Sequence, residues 1–249
     1  MKTTRHDFLK ICGASAAALG LSATDLGQLK EVLADPNGPT VIWLQGSACT
    51  GCSVSFLDRI ADAPPLTAAG VLVNSSSLIY HLDLATLAGD SAVAEIEKVY
   101  SKGGYVLAVE GAVPTKFGGK ACLGWSDNDP DVTFHHAVVD LSSRAVATLC
   151  VGTCASFGGI PAPSPNPTGV KSVSAVTGKP TINIAGCPTH PDWIVYVVAQ
   201  ILLGNQVALD PLGRPKDLFT KYPIHDMCMR RAKYELGLKA QSFGIDNFC

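Results

Sequence analysis

The stretch TVIWLQGSACTGCS, Thr40 to Ser53, decides the fold. Five apolar or β-branched residues and Gln45 run into a glycine turn, and two cysteines three positions apart follow at the head of a helix-forming segment. A strand that is apolar at nearly every position, rather than at every second one, is buried on both faces, which points to a parallel sheet with helices above and below. Outward from it the pattern recurs. Residues 70–74, 104–109, 146–151 and 181–185 are further continuous β-rich runs. Residues 52–61, 84–101 and 191–203 read as helices, the last opened by Pro191 at a first helical position. The alternation predicts an α/β fold, an open doubly wound parallel sheet, over residues 38–204. After Gly204 the pattern stops, and residues 205–249 read as an irregular appendage without a periodic core.

The 249 residues suffice for one large domain or one domain with a smaller cap. Charged residues make up only 16%, where about 25% is usual, so part of the surface is expected to lie against a partner. A formal charge of −2 offers no basic patch and argues against nucleic-acid binding. The longest apolar runs fall short of the roughly 20 residues that span a bilayer. At the N-terminus, Lys2, Arg5 and Lys10 precede a short apolar run and a small-residue site at Val32-Leu33-Ala34. Residues 1–34 therefore read as an export signal. The segment Arg5-His6-Asp7-Phe8-Leu9-Lys10 resembles a twin-arginine signal with His6 in place of the second arginine. The expected location is periplasmic or membrane-associated. A non-exported amphipathic helix in a cytoplasmic protein is the plainer alternative.

Ligands of open α/β sheets bind outside the carboxyl ends of the strands, and the polar motifs of this sequence stand there. The expected strands run into Gly46-Ser47-Ala48-Cys49-Thr50-Gly51-Cys52, into Glu110-Gly111-Ala112-Val113-Pro114-Thr115, into Gly152-Thr153-Cys154, and into Gly186-Cys187-Pro188-Thr189-His190. Adjacent strands would bring Cys49, Cys52, Cys154 and Cys187 to one cleft. Four thiolates fed by glycine-rich loops describe an iron–sulfur site. Three plainer readings stay open: a structural zinc, which usually takes paired knuckles at close spacing; a redox pair made of Cys49 and Cys52 alone; and ordinary buried cysteines, the expectation for Cys122 and Cys150. Cys12 lies inside the export segment and is given no function. A second group, His225, Cys228 and Cys249, stands in the appendage, and one imidazole among thiolates tends to raise a cluster's potential.

At these five motifs, His225-x-x-Cys228 included, the sequence resembles the small, electron-transfer subunit of nickel–iron hydrogenases from about Val41 to Cys249. The resemblance implies a flavodoxin-like domain binding a proximal [4Fe–4S] cluster through Cys49, Cys52, Cys154 and Cys187. It also implies that His225, Cys228 and Cys249 begin the ligand set of a distal [4Fe–4S] cluster, in the opening part of a C-terminal cluster-binding domain over 205–249. The fourth distal ligand and the medial [3Fe–4S] cysteines of the family do not follow, so the chain reads as a C-terminally truncated fragment. The implied partner is a hydrogenase large subunit carrying the nickel–iron site, which needs two C-x-x-C pairs where this chain has one. A cytochrome or quinone-linked protein would be the redox acceptor. Oxygen-tolerant relatives carry extra cysteines where Gly51 and Gly159 stand here, and Thr189 replaces a usual proline, to which no consequence is attached. Glu110, at a strand end facing the interface, is a candidate proton relay, with plain structural hydrogen bonding the stronger expectation. His190 is expected to stabilise its His-Pro turn. A one-cluster redox or sensory module and a zinc-binding interaction protein are the alternatives from other classes.

Overall fold

The structure is a computed structural model that describes residues 40–60, 67–68, 77–126, 131–219, 223–242, 244 and 248. The export segment, Cys12, Cys249 and the strand expected at 70–74 lie outside the described residues. Contacts divide the chain into two units between Pro215 and Lys216.

In the first unit, β1 (Thr40–Gln45), β2 (Ser77–Tyr80), β3 (Val106–Glu110), β6 (Ala147–Val151) and β7 (Ile182–Ile184) form one sheet in the order β2-β1-β3-β6-β7. All four pairings are parallel, with Gln45 opposite Glu110 and Glu110 opposite Val151. This is the flavodoxin-like order, in which the chain reverses direction across the sheet between β1 and β3. The central strand β3 is buried at all five positions, as its unbroken apolar sequence up to Glu110 requires.

The two faces of the sheet are covered differently. Ile42, Leu44, Leu107, Val109 and Cys150 share one core with α2 (Asp90–Lys102), α3 (Phe134–Arg144), α4 (Thr153–Phe157) and α5 (Val173–Thr177). The opposite parity faces α1 (Gly51–Leu57), where Trp43 stacks on Phe56 with ring centroids 5.8 Å apart, and α1 packs against α6 (Pro191–Leu202). Among the described residues, no helix is long and apolar enough to cross a membrane.

Several elements depart from expectation, among them β2, α4 and α5, which no expected strand or helix covers. Helix α2 starts at Asp90, because Gly89, at φ 57° and ψ −141°, holds the preceding residues out of the helix. Helix α3 and the small antiparallel pair β4 (Leu123–Trp125) and β5 (Val132–Thr133) were not expected at all. Yet α3 carries ordinary signals: the Thr133 hydroxyl accepts from His136 N–H as an N-cap, and Phe134, Ala137, Val138 and Leu141 are its buried stripe. From Lys216 onward, a 3₁₀ turn (Ile224–Met227) and α7 (Arg231–Glu235) are the described helical elements. Residues 205–215 instead bind the sheet edge, with Asn183 N–H donating to Gly213 O at 2.7 Å and Asn183 Nδ2 to Leu212 O at 2.7 Å.

Gly46 is where the core and the cysteine loop meet. A Cβ built there would lie 2.1 Å from the Phe134 ring, and Phe134 is only 1% exposed, so the ring cannot swing away. Gly46→Ala should lower the unfolding free energy by about 1–3 kcal/mol through overpacking. In a denaturant titration, Phe134→Leu in the same chain should make the alanine less costly than it is alone. A strictly additive double mutant would contradict this contact.

Candidate functional site

The carboxyl ends of the strands are braced to one another by backbone bonds. Gly46 N–H donates to Glu110 O at 2.8 Å, and Ser47 and Ala112 exchange N–H···O bonds of 3.2 and 3.1 Å, joining the loops after β1 and β3. On the other side, Thr153 N–H donates to Gly186 O at 2.8 Å, the Thr153 hydroxyl donates to the same carbonyl at 3.1 Å, and Gly186 N–H returns a bond to that hydroxyl at 3.0 Å. The loops after β6 and β7 are thereby locked together.

Each cysteine sits on one of these braced loops. Cys49 and Cys187 are exposed, Cys154 is half-buried, and Cys52 is buried in the first turn of α1. Burial pushes the Cys52 thiol up to about 12, opposed by the Thr189 backbone N–H that bonds its sulfur and reinforced by Glu110, Cys154 and Cys49. Burial likewise raises Cys154, opposed by the Ile160 N–H and reinforced by Cys187, Cys49 and Glu110. Cys52 thus neighbours Cys49 and Cys154, and Cys154 neighbours Cys49 and Cys187. Among the described residues, no three His, Cys, Asp or Glu side chains close around a single ion.

The donor set and its surroundings fit an iron–sulfur group. A Cβ at Gly152 would stand 2.5 Å from Cys52 Sγ, and one at Gly159 would stand 2.4 Å from Cys154 Sγ, so glycine at both places leaves the sulfurs their room. Two buried polar atoms, Gln45 Nε2 at the end of β1 and Thr189 Oγ1 in the loop just past Cys187, have no partner among the described residues. Thr50, between the two cysteines of the pair, holds φ at 64°, a left-handed conformation that costs a β-branched residue about 1–3 kcal/mol.

Glu110 is the anchor of α1. It is 2% exposed, and its Oε1 accepts the N–H groups of Cys52 at 3.1 Å and Ser53 at 3.3 Å. Its Oε2 accepts from the Ser53 hydroxyl at 2.5 Å and from Trp43 Nε1 at 3.3 Å. Asp83 N–H donates to His81 Nδ1 at 3.1 Å, so the ring proton is on Nε2, which lies 3.2 Å from Ser53 Oγ and donates to it. Burial lowers the His81 pKa, which keeps the ring neutral in this role. Four donors on one carboxylate fit hydrogen-bonded anchoring better than a proton relay.

The remaining candidates divide. His190 caps α6, its Nδ1 accepting from Asp192 N–H at 3.2 Å. Cys150 is fully buried in β6, and burial pushes its thiol up to about 12. Cys122 is half-buried and shares a hydrogen bond with Ser47, so it neighbours the Cys49 loop, a contact that nothing in the sequence signalled. In the second unit His225 is exposed and packs edge-on against Tyr234 at 4.6 Å, while Cys228 Sγ accepts Arg230 N–H at 3.4 Å. Arg230 Nη1 also donates to Phe248 O at 3.2 Å, which sets residue 248 beside the Cys228 turn.

Comparison with known proteins gives one consistent result. Residues 49–201 match the family described as NADH ubiquinone oxidoreductase, 20 Kd subunit. The chain is 34% identical over 245 residues to the periplasmic [NiFe] hydrogenase small subunit of Solidesulfovibrio fructosivorans, covering 96% of this chain and 74% of that protein. It is 35% identical over 263 residues to the periplasmic [NiFeSe] hydrogenase small subunit of Desulfomicrobium baculatum, covering 98% and 82%. Among solved structures, the oxidised recombinant [NiFeSe] hydrogenase of Desulfovibrio vulgaris Hildenborough superposes with a TM-score of 0.78 at 35% identity, over 87% of this chain and 81% of that one.

Replacing Glu110 by Gln tests the anchor. An amide oxygen can accept from the two backbone N–H groups, but the NH₂ group turned toward Trp43 leaves the indole N–H without an acceptor. A buried unsatisfied donor costs about 1–3 kcal/mol. Denaturant unfolding of the metal-free chain should show a loss of that size with the fold retained. A Glu110→Gln variant as stable as the parent would remove Glu110 from this role.

Proposed function

The chain belongs to the family of [NiFe] hydrogenase small subunits, and we propose that Cys49, Cys52, Cys154 and Cys187 hold its proximal [4Fe–4S] cluster. As a hydrogenase small subunit it serves an oxidoreductase whose nickel–iron active site lies in the partner chain. It carries electrons through iron–sulfur clusters between that site and an external acceptor. The observation that carries the ligand assignment is the convergence of four thiols from three strand ends on one glycine-lined neighbourhood at the β1/β3 reversal.

When bound, the cluster supplies a one-electron relay point. The chain's own residues do the rest. Glu110 fixes the Cys52 and Ser53 amides, the Thr153–Gly186 bonds fix the Cys154 and Cys187 loops to each other, and Trp43 and Phe56 close the apolar side beneath α1. Ligand thiols lose their protons on binding metal. Burial keeps Cys52 protonated without it.

Around the site the surface is apolar. Val54 and Leu57 of α1 are 49% and 38% exposed, and Phe157 and Ile160 beside Cys154 are 43% and 81% exposed. Side chains of this kind beside the ligand loops support a large subunit seated here, and they account for the low charge content. Export to the periplasm follows the periplasmic relatives and the basic, apolar start of the sequence. In the second unit, His225 and Cys228 with Cys249 are read as ligands of a distal cluster. The return of Phe248 to the Cys228 turn supports that reading.

Metal and sulfide analysis of the anaerobically purified two-subunit complex tests the assignment. Cys154→Ser should lose about four iron and four acid-labile sulfides per chain relative to the parent. Cys122→Ala should lose none. Stoichiometric zinc in place of iron, or full iron in Cys154→Ser, would refute it.

A further inference from the structure

Thr189 is not among the proposed ligands, yet α1 grips it. Ser55 Oγ donates to Thr189 O at 2.9 Å, and the Thr189 N–H reaches Cys52 Sγ. Two residues past the end of α1, Arg59, itself 4% exposed, donates through Nε to Asp192 Oδ1 at 2.7 Å. Cys52, Ser55 and Arg59 follow one another at helical spacing, so one face meets the Cys187 loop and the start of α6. The two peptides flanking Thr189 are thus held from both sides, and the residue is shut off from solvent at 0% exposure.

We infer that Thr189 is a positioning residue for electron transfer, whose amide N–H on the Cys52 sulfur sets the reduction potential of the proximal site above what the same four thiolates would give without it. The inference rests on the reading that Cys52 is a ligand. A hydrogen bond to a ligand sulfur favours the more negatively charged, reduced state, and it does so most strongly where water is excluded. The second such donor, the Ile160 N–H on Cys154, belongs to a residue 81% exposed, where solvent screens it. The Thr189 amide is dry and comes from a different ligand loop, so it also ties the Cys52 and Cys187 loops together. The Thr189 hydroxyl, with no partner among the described residues, is a separate group that the same residue could use.

Three variants of the intact two-subunit complex separate these possibilities. Thr189→Pro removes the N–H, Thr189→Val keeps it and removes the hydroxyl, and Ser55→Ala releases the carbonyl that orients it. The readout is the midpoint of the paramagnetic signal that Cys154→Ser abolishes, followed by redox titration with iron content measured alongside. Thr189→Pro should move the midpoint to lower potential, by about a threefold to tenfold change in the oxidised-to-reduced ratio, a tenfold change being about 59 mV for one electron. Thr189→Val should titrate with the parent, and Ser55→Ala should shift the same way by less. An iron-replete Thr189→Pro at the parental midpoint overturns the inference. So does a Thr189→Val shift as large as that of proline, which would give the role to the hydroxyl. If Thr189→Pro fails to retain iron, Ser55→Ala decides, and an unshifted midpoint there is fatal. Absence from the parent complex of any signal that Cys154→Ser removes would instead sink the ligand assignment itself.

Discussion

A carboxylate in the interior of a protein must be surrounded by donors, and in this chain the donors that surround Glu110 are the parts that build the site. Two are the first amides of α1, one is the serine beside Cys52, and one is the indole of Trp43 on β1. Because Gln45 and Glu110 are paired in register, the same interaction fixes the end of β1, the end of β3 and the start of the helix between them. The cysteine pair lies at that junction. The strain at Thr50 persists because this framework determines the loop on both sides.

The other two cysteines of the proposed site arrive by a different device. Cys154 and Cys187 follow the carboxyl ends of β6 and β7, and the Thr153 hydroxyl and amide lock their loops through Gly186. Between the two halves run the contacts of Cys52, Ser55 and Arg59 with Thr189 and Asp192. A buried, braced frame of this kind keeps ligand positions fixed while the charge at the site changes. That low reorganisation suits one-electron transfer. Outside the frame, the exposed apolar side chains of α1 and of the Cys154 loop leave the site incomplete as an isolated surface.

Much of this was legible in the sequence, and the reasons differ by element. Strands β1, β3, β6 and β7 announced themselves as unbroken apolar runs, and a cysteine motif follows each of β1, β6 and β7, so the four thiols could be gathered from topology alone. Helix α3 is not legible in the sequence although its cap and stripe are ordinary, because His135 and His136 interrupt the apolar pattern at its start. Strand β2 carries little local signal; it is the edge strand, and its three side chains from Leu78 to Tyr80 are only partly buried. The supporting residues could not be read at all. Ser53 and Trp43 meet Glu110 from α1 and β1, His81 reaches it only through Ser53, and Thr189 is held by a helix more than a hundred residues earlier in the chain. Such contacts have no sequence spacing to betray them. Ser55 and Arg59 did have one, at helical intervals from Cys52, but spacing alone does not say what a helix face touches.

The central claim is that electrons from hydrogen enter this chain at the four cysteines. Exposing the purified, oxidised two-subunit complex to hydrogen while recording its iron–sulfur charge-transfer absorption addresses it most directly. The account predicts rapid bleaching in the parent complex, and none in a Cys154→Ser complex that still pairs with its large subunit and retains nickel. Equal bleaching in that variant would contradict it.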